Sequence, residues 1–172
     1  MTAAGKVIHV DNDAAGANNG LSWSDAYNHI QDALADAASS AKPVEIRVAS
    51  GVYRPDEGAA LTPGDRKATF QLINGVTIRG GYAGFGEADP DACDIEAYQT
   101  VLSGDLSCDD AGLANNAENS YHVVTGSGTD ALAILDGFTI AGGNANGLSP
   151  DSFGGGMFNG PGSSPTVTNC IF

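Results

Sequence analysis

Basic residues are scarce in this chain. Its 172 residues include 7 Lys and Arg against 21 Asp and Glu, so that the formal net charge is −14. A field of this sign repels the phosphate backbone of nucleic acids and the surface of anionic membranes. We therefore expect no nucleic-acid partner. Divalent cations or cationic surfaces are better candidates for a binding partner. Solubility in a salt-rich or extracellular medium is the simpler explanation of the charge.

Long apolar runs are also missing. No run approaches the ~18 residues that a membrane span requires, and no signal peptide precedes Gly5. We expect no insertion into a membrane. If the protein is exported, we expect this sequence to be a form from which the leader has been removed.

The three cysteines form no CxxC pair and no zinc-ligand spacing. Cys93 and Cys108 lie in acidic loops on either side of a predicted strand at residues 100–103. Loop cysteines in such a setting favour a disulfide, which implies an oxidising compartment. Two free thiols are the alternative, and mass spectrometry with and without reductant distinguishes them.

Glycine is abundant, with 24 residues, and it closes a repeated segment. Residues 76–81 and 138–143 both read apolar-Thr-apolar and end in a pair of glycines, and 170–172 is a looser third copy. Alternation with a period of two predicts short strands that end in tight corners. A longer repeat of such strands indicates rungs stacked on one another, as in a solenoid.

The chain offers one amphipathic helix, predicted over residues 23–38. Ser22 and Asp25 have the spacing of a capping box at its start. We expect this helix to close the first coil within an amino-terminal cap, residues 1–66. Residues 67–172 are expected to form the coils, as one continuous domain with an open carboxyl-terminal end.

These patterns predict an all-β fold, a right-handed parallel β-helix with an amino-terminal capping helix. Two stacks are expected. In the first, residues 69–73 lie against 121–124 and 157–158, and in the second, residues 76–78 lie against 138–140 and 170–172.

Several segments resemble bacterial right-handed parallel β-helix repeat proteins of the pectin-lyase-like superfamily. They include residues 10–20, 22–23, 30–34, 102–105 and 135–143. Many such proteins are secreted or surface proteins of planctomycetes, similar to polymorphic outer-membrane proteins. The resemblance implies the β-helix fold and an extracellular or cell-surface location. It is weak for function, because these folds range from lyases to adhesins.

The ending departs from that family, whose members continue for many more coils. We expect the chain to be either a fragment or a short form with an uncapped last coil. An uncapped end favours a non-enzymatic extracellular structural module that associates with itself, head-to-tail into a filament, or with the rest of a longer β-helix. The residues expected at this end are Val167, Cys170, Ile171 and Phe172.

A surface adhesin or polysaccharide-binding module is the alternative function. Tyr82 and Phe85 follow the first glycine repeat and are the candidate glycan contacts. A polysaccharide lyase is disfavoured, because Arg79 is the only basic residue after Lys67 and no strand bears an Asp triplet. We therefore predict no enzyme and no catalytic residue.

No cofactor is predicted, although the acidic loops leave calcium open, because carboxylate oxygens are its preferred ligands. The candidate metal ligands are Asp11, Asp13, Asp89 and Asp91, and a further acidic group contains Asp105, Asp109 and Asp110. None has the spacing of an EF-hand or a calcium-binding nonapeptide repeat. Solvated acidic loops are the simpler interpretation of each group.

Overall fold

The computed structural model describes residues 5–112 and 114–172. Its helix and strands follow one another along the chain as β1 (Lys6–Val10), α1 (Ile30–Ser39), β2 (Val44–Ala49), β3 (Gly51–Tyr53), β4 (Phe70–Gln71), β5 (Val76–Tyr82), β6 (Thr100–Ser103), β7 (Val124–Thr125), β8 (Ile134–Asp136), β9 (Thr139–Ala141), β10 (Met157–Phe158) and β11 (Thr166–Thr168).

The strands form three parallel sheets. One has five strands in the order β1-β2-β5-β8-β11, and two have three strands each, in the orders β10-β7-β4 and β3-β6-β9. Every strand pair within them is parallel. Neighbouring strands are therefore far apart in sequence, as parallel pairing requires a long connection between them.

The predicted all-β solenoid, a single right-handed parallel β-helix, is wrong. The described residues form three flat, small parallel sheets with one helix, an α/β-like arrangement with 27% strand. Glycines at left-handed backbone positions flank some of the strands, as at Gly75 (φ 76°) directly before β5 and Gly137 (φ 82°) directly after β8. The hydrogen bonding between strands is therefore interrupted at the corners, and the strands form three separate sheets.

The two glycine repeats do not lie over one another as predicted. β5 pairs with β8, with Arg79 opposite Asp136, whereas β9 pairs with β6. A Cβ on Gly80 would lie 2.7 Å from the Gly137 carbonyl oxygen, so Gly80, within β5, adjoins the corner after β8. The similar glycine pairs thus occupy different corners. The predicted stacking of Phe70 on Val124 is confirmed.

Apolar side chains from all three sheets meet in one core. β2 shows the underlying pattern, because Val44, Ile46 and Val48 are buried while Glu45 and Arg47 face outward. Burial of one such side chain contributes about 1.5–3 kcal/mol. The other large buried members include Ile8, Val10, Tyr53, Phe70, Leu72, Ile78, Leu102, Leu135, Phe138 and Ile140.

α1 packs against β1, β2 and β4 through one apolar stripe. Its buried residues are Ile30, Ala33, Leu34 and Ala37, which lie on one helix face. The helix begins at Ile30 rather than at Trp23 as predicted. The reason is that the preceding segment pairs with β1: Tyr27 N donates to His9 O at 3.0 Å, and Asp11 N donates to Tyr27 O at 2.8 Å. Within the described ranges no helix is long and apolar enough to cross a bilayer.

Candidate functional site

Two of the three sheets present an unpaired edge on the same side of the fold, and the third is bordered there by Ile171. Among the described residues, β11 and β10 are edge strands, and beyond β9 only Ile171 adds a bridge, to Thr139. Thr166 N donates to Ala133 O, and Gly137 N donates to Thr168 O, so both residues bond toward β8. Alternate residues of a parallel strand face opposite neighbours, so the N–H and C=O of Val167 point to the open side. We call this surface the open edge.

Apolar side chains border the open edge. Ile171 is 68% exposed and Phe172 is 64% exposed, and Val167 and Cys170 are half-buried. A groove of about 460 Å³ is lined by Ile140, Gly143, Gly156, Met157 and Phe172, among others. The predicted end residues therefore do lie together at this surface, although they belong to a sheet edge and not to a solenoid coil.

The opposite edge of the five-stranded sheet is covered. His9 N donates to Gly20 O at 2.9 Å. Tyr27 lies opposite Val10, because its N–H donates to His9 O and its carbonyl oxygen accepts from Asp11 N. The backbone N–H and C=O of His9, on the outer side of β1, are thus already satisfied. A head-to-tail filament needs two free and complementary ends, so the filament prediction is wrong in its geometry.

The cysteines are free thiols in this structure, with Cys93 and Cys108 exposed and Cys170 half-buried. Burial raises the pKa of the Cys93 and Cys170 thiols above their ordinary value. A raised pKa lowers the thiolate fraction, so neither is an activated nucleophile. The disulfide between Cys93 and Cys108 stays a prediction.

The two predicted glycan contacts differ in accessibility. Tyr82 is only 5% exposed, because its ring packs against Trp23 at 5.6 Å and lies under the Arg47 guanidinium. Phe85 is 43% exposed, while its backbone N–H donates to Asp11 Oδ2 at 2.6 Å. Only Phe85 of this pair presents an aromatic face to solvent, so a stacking role rests on it alone.

The four predicted metal ligands are not brought together as one group. Asp11 is buried and accepts hydrogen bonds from the backbone N–H groups of Asp13 and Phe85, and burial raises the pKa of its carboxyl group. Asp91 Oδ1 accepts from Trp23 Nε1 and Arg47 Nη1, both at 3.0 Å. The Trp23 hydrogen bond is the main cause that lowers the pKa of Asp91. These carboxylates fix loops onto the sheet.

A row of charged side chains crosses the outer face of the five-stranded sheet, and sequence reasoning missed it. His9, Arg47, Arg79 and Asp136 lie in register on β1, β2, β5 and β8. Arg79 Nε donates to Asp136 Oδ2 at 3.0 Å, and Arg79 Nη1 lies 3.9 Å from Glu45. This pairing favours the cationic form of Arg79 and raises the pKa of its guanidinium group. The sequence signal that could have located this row is the alternation of apolar and charged residues in β2.

Comparison with known proteins yields no relative. No protein family, no curated protein and no solved structure matches the chain. The resemblance to pectin-lyase-like β-helix repeat proteins, and the extracellular location inferred from it, therefore gain no support. Any function has to be inferred from the chain's own geometry.

Proposed function

We propose that this protein is a non-enzymatic structural module that associates with a second copy of itself through the open edge. The supporting observation is that the unpaired edge strands β10 and β11 lie on one side, whereas His9 on the outer edge of β1 is already paired. Exposed strand edges are templates for pairing with another chain. Main-chain hydrogen bonds then supply affinity, and bordering apolar side chains add to it.

Charge also favours this surface. The chain has a net charge of −14, yet residues 152–172, which contain β10 and β11, include no Asp, Glu, Lys or Arg. Charged residues are depleted in the buried centre of protein interfaces, whereas aromatic residues and Met are enriched. Phe158, Phe172 and Met157 all lie in this uncharged stretch. Two open edges can therefore approach without placing carboxylates against each other.

The expected complex is a closed dimer. Because the outer edge of β1 is paired, an open edge meets another open edge and both copies use the same surface. Such an isologous contact has two-fold symmetry and ends at the dimer. Across the two-fold axis the two β11 strands run antiparallel, with Val167 of each copy facing the partner.

Sedimentation velocity of the chain over a wide concentration range tests this proposal. We expect a monomer–dimer equilibrium with no larger species. A monomer at every concentration, or particles that grow steadily with concentration, would refute the closed dimer.

Two variants localise the contact. Val167→Pro removes an N–H that points to the open side, which an edge strand tolerates without loss of the fold. Phe172→Ser removes an exposed aromatic ring. Each is expected to weaken the dimer about tenfold, the effect of ~1.4 kcal/mol. Leu21→Ser is the matched control, since Leu21 is 71% exposed but lies beside β1. Equal effects of all three variants would contradict the proposed surface.

A further inference from the structure

The loop that follows β6 brings four carboxylates together. One oxygen from each of Asp105, Asp109, Asp110 and Glu118 lies within 4.8 Å of the others. Asp105 organises the loop, because its Oδ1 accepts from Asp109 N and its Oδ2 from Asp110 N, both at 3.2 Å. We call these four residues, with Asn119, the acidic loop cluster.

The cluster has no cationic side chain paired with it. Among the described residues, none of its four carboxylates takes part in a salt bridge. Arg54 and Arg66 reach the same loop but donate to backbone carbonyls, with Arg54 Nε 2.9 Å from Asp105 O and Arg66 Nε 2.6 Å from Asn119 O. Like charges at this separation repel one another, so the four carboxylates by themselves destabilise the loop.

A second observation points to a ligand at this place. Asp110 Oδ1, Glu118 Oε1 and Asn119 Oδ1 are all inaccessible to solvent and have no hydrogen-bond partner among the described residues. Asn119 is only 1% exposed, and its Nδ2 donates to Asp110 Oδ2 at 2.8 Å. That bond holds the Asn119 amide group beside Asp110, and the amide oxygen has no partner among the described residues.

Buried acceptors without a donor are rare, because each costs the desolvation of a polar group. Here every unpartnered atom is an oxygen, and the group around them is negatively charged. A cation among the carboxylates would offset their mutual repulsion, whereas a neutral donor would leave them repelling one another.

We propose that the acidic loop cluster binds one Ca²⁺ ion. Ca²⁺ takes six to eight oxygen ligands from carboxylates, amide carbonyls and water in a flexible geometry. Zn²⁺ prefers His and Cys, and the cluster contains neither. Mg²⁺ requires a near-ideal octahedron and keeps most of its waters, which suits a loop with several direct oxygen ligands less well.

The ion would close the loop onto the sheets. Gly104 N donates to Ala141 O at 2.8 Å at one end of the loop, and Ser120 N donates to Gly104 O at 2.9 Å at the other end. Both ends are therefore anchored, and bound Ca²⁺ would stabilise the stretch between them by replacing repulsion with attraction. This inference does not depend on the dimer.

Thermal unfolding in EDTA, CaCl₂ and MgCl₂, together with calorimetric titration of CaCl₂, tests the site. We expect one Ca²⁺ per chain and a Kd on the order of 10⁻⁴ M, as in weak calcium-binding modules. At a hundred times the Kd, Ca²⁺ should raise the Tm by about 5–10 °C. Mg²⁺ should raise it by much less. No Tm shift and no binding heat with CaCl₂ would overturn the proposal.

Charge-neutralising variants give a signature that a solvated acidic loop would not. Asp110→Asn and Glu118→Gln should each abolish most of the Ca²⁺-induced shift, and each should raise the Tm in EDTA because repulsion is relieved. Glu87→Gln is the matched control, since Glu87 is an exposed acid elsewhere, and it should change neither value. If Asp110→Asn fails to fold, Glu118→Gln alone decides. A full Ca²⁺ shift in the folded variants would overturn the assignment.

Discussion

Replacement of Leu135 by Ala tests the register of the five-stranded sheet. Leu135 is 0% exposed and lies on β8, opposite Ile78 on β5 and Val167 on β11. Because both neighbouring strands hold the backbone in place, the site cannot collapse around the missing atoms. Leu→Ala changes in such positions cost 2–5 kcal/mol, and we expect about 3–4 kcal/mol here.

The matched control has the same chemistry three positions earlier in the chain. Leu132 is 64% exposed, so Leu132→Ala should change the free energy of unfolding by less than about 0.5 kcal/mol. For a chain of this length each kcal/mol moves the Tm by roughly 2–4 °C, so Leu135→Ala should lower it by about 6–16 °C.

Urea unfolding followed by circular dichroism measures both variants, at one fixed protein concentration because association adds to apparent stability. Equal losses in the two variants, or a larger loss in Leu132→Ala, would refute the register of β8. An unchanged m-value is required for the comparison, since a changed slope reports an altered unfolded state.

Two further predictions follow. Gly137→Ala should lower the free energy of unfolding by about 2–4 kcal/mol, measured by thermal unfolding. The new Cβ would lie 2.8 Å from Ile95, and a φ of 82° strains any residue other than glycine. Gly128→Ala is the control, since Gly128 has a φ of 79° but open space around it, and it should lose only the ~1–2 kcal/mol of backbone strain. Burial lowers the pKa of His9 below 6.5, so the unfolded chain takes up its proton first and stability falls as the pH drops through about 6.5. His9→Gln should flatten that pH profile in urea titrations, and an unchanged profile in this variant would contradict the prediction.

Local patterns in the sequence located several elements correctly. The alternation at residues 44–48 gave β2 with its buried and exposed faces, and the apolar stripe gave α1, although not its start. The predicted start of this helix was wrong because Tyr27 uses its backbone groups to pair with β1. A capping box shows only that Ser22 and Asp25 bond locally, as they do at 3.2 Å. It does not show that a helix follows.

Long-range register was the part that the sequence could not supply. Glycine pairs at 80–81 and 142–143 look alike because both permit tight corners, yet Gly80 adjoins Gly137 while a Cβ on Gly142 would lie 2.9 Å from Asp105 N. Which corners meet depends on the lengths of the intervening loops and on packing. The same limit hid two of the five residues of the acidic loop cluster. Asp105, Asp109 and Asp110 are close in sequence, but Glu118 and Asn119 join them only when the loop folds back.

The distribution of charge connects the two proposals. A chain with 21 acids and 7 bases repels its own copies in solution, so any association has to occur where acids are absent. The open edge meets this condition, since its uncharged stretch extends from residue 152 to 172. The acidic loop cluster is the opposite case, because its four carboxylates lie close together. Two of them, Asp110 and Glu118, have a buried oxygen without a hydrogen-bond partner among the described residues, as does Asn119. Simple solubility needs acids that are spread over the surface and solvated. Acids that are packed together and partly withdrawn from water are better explained by a cation that they hold.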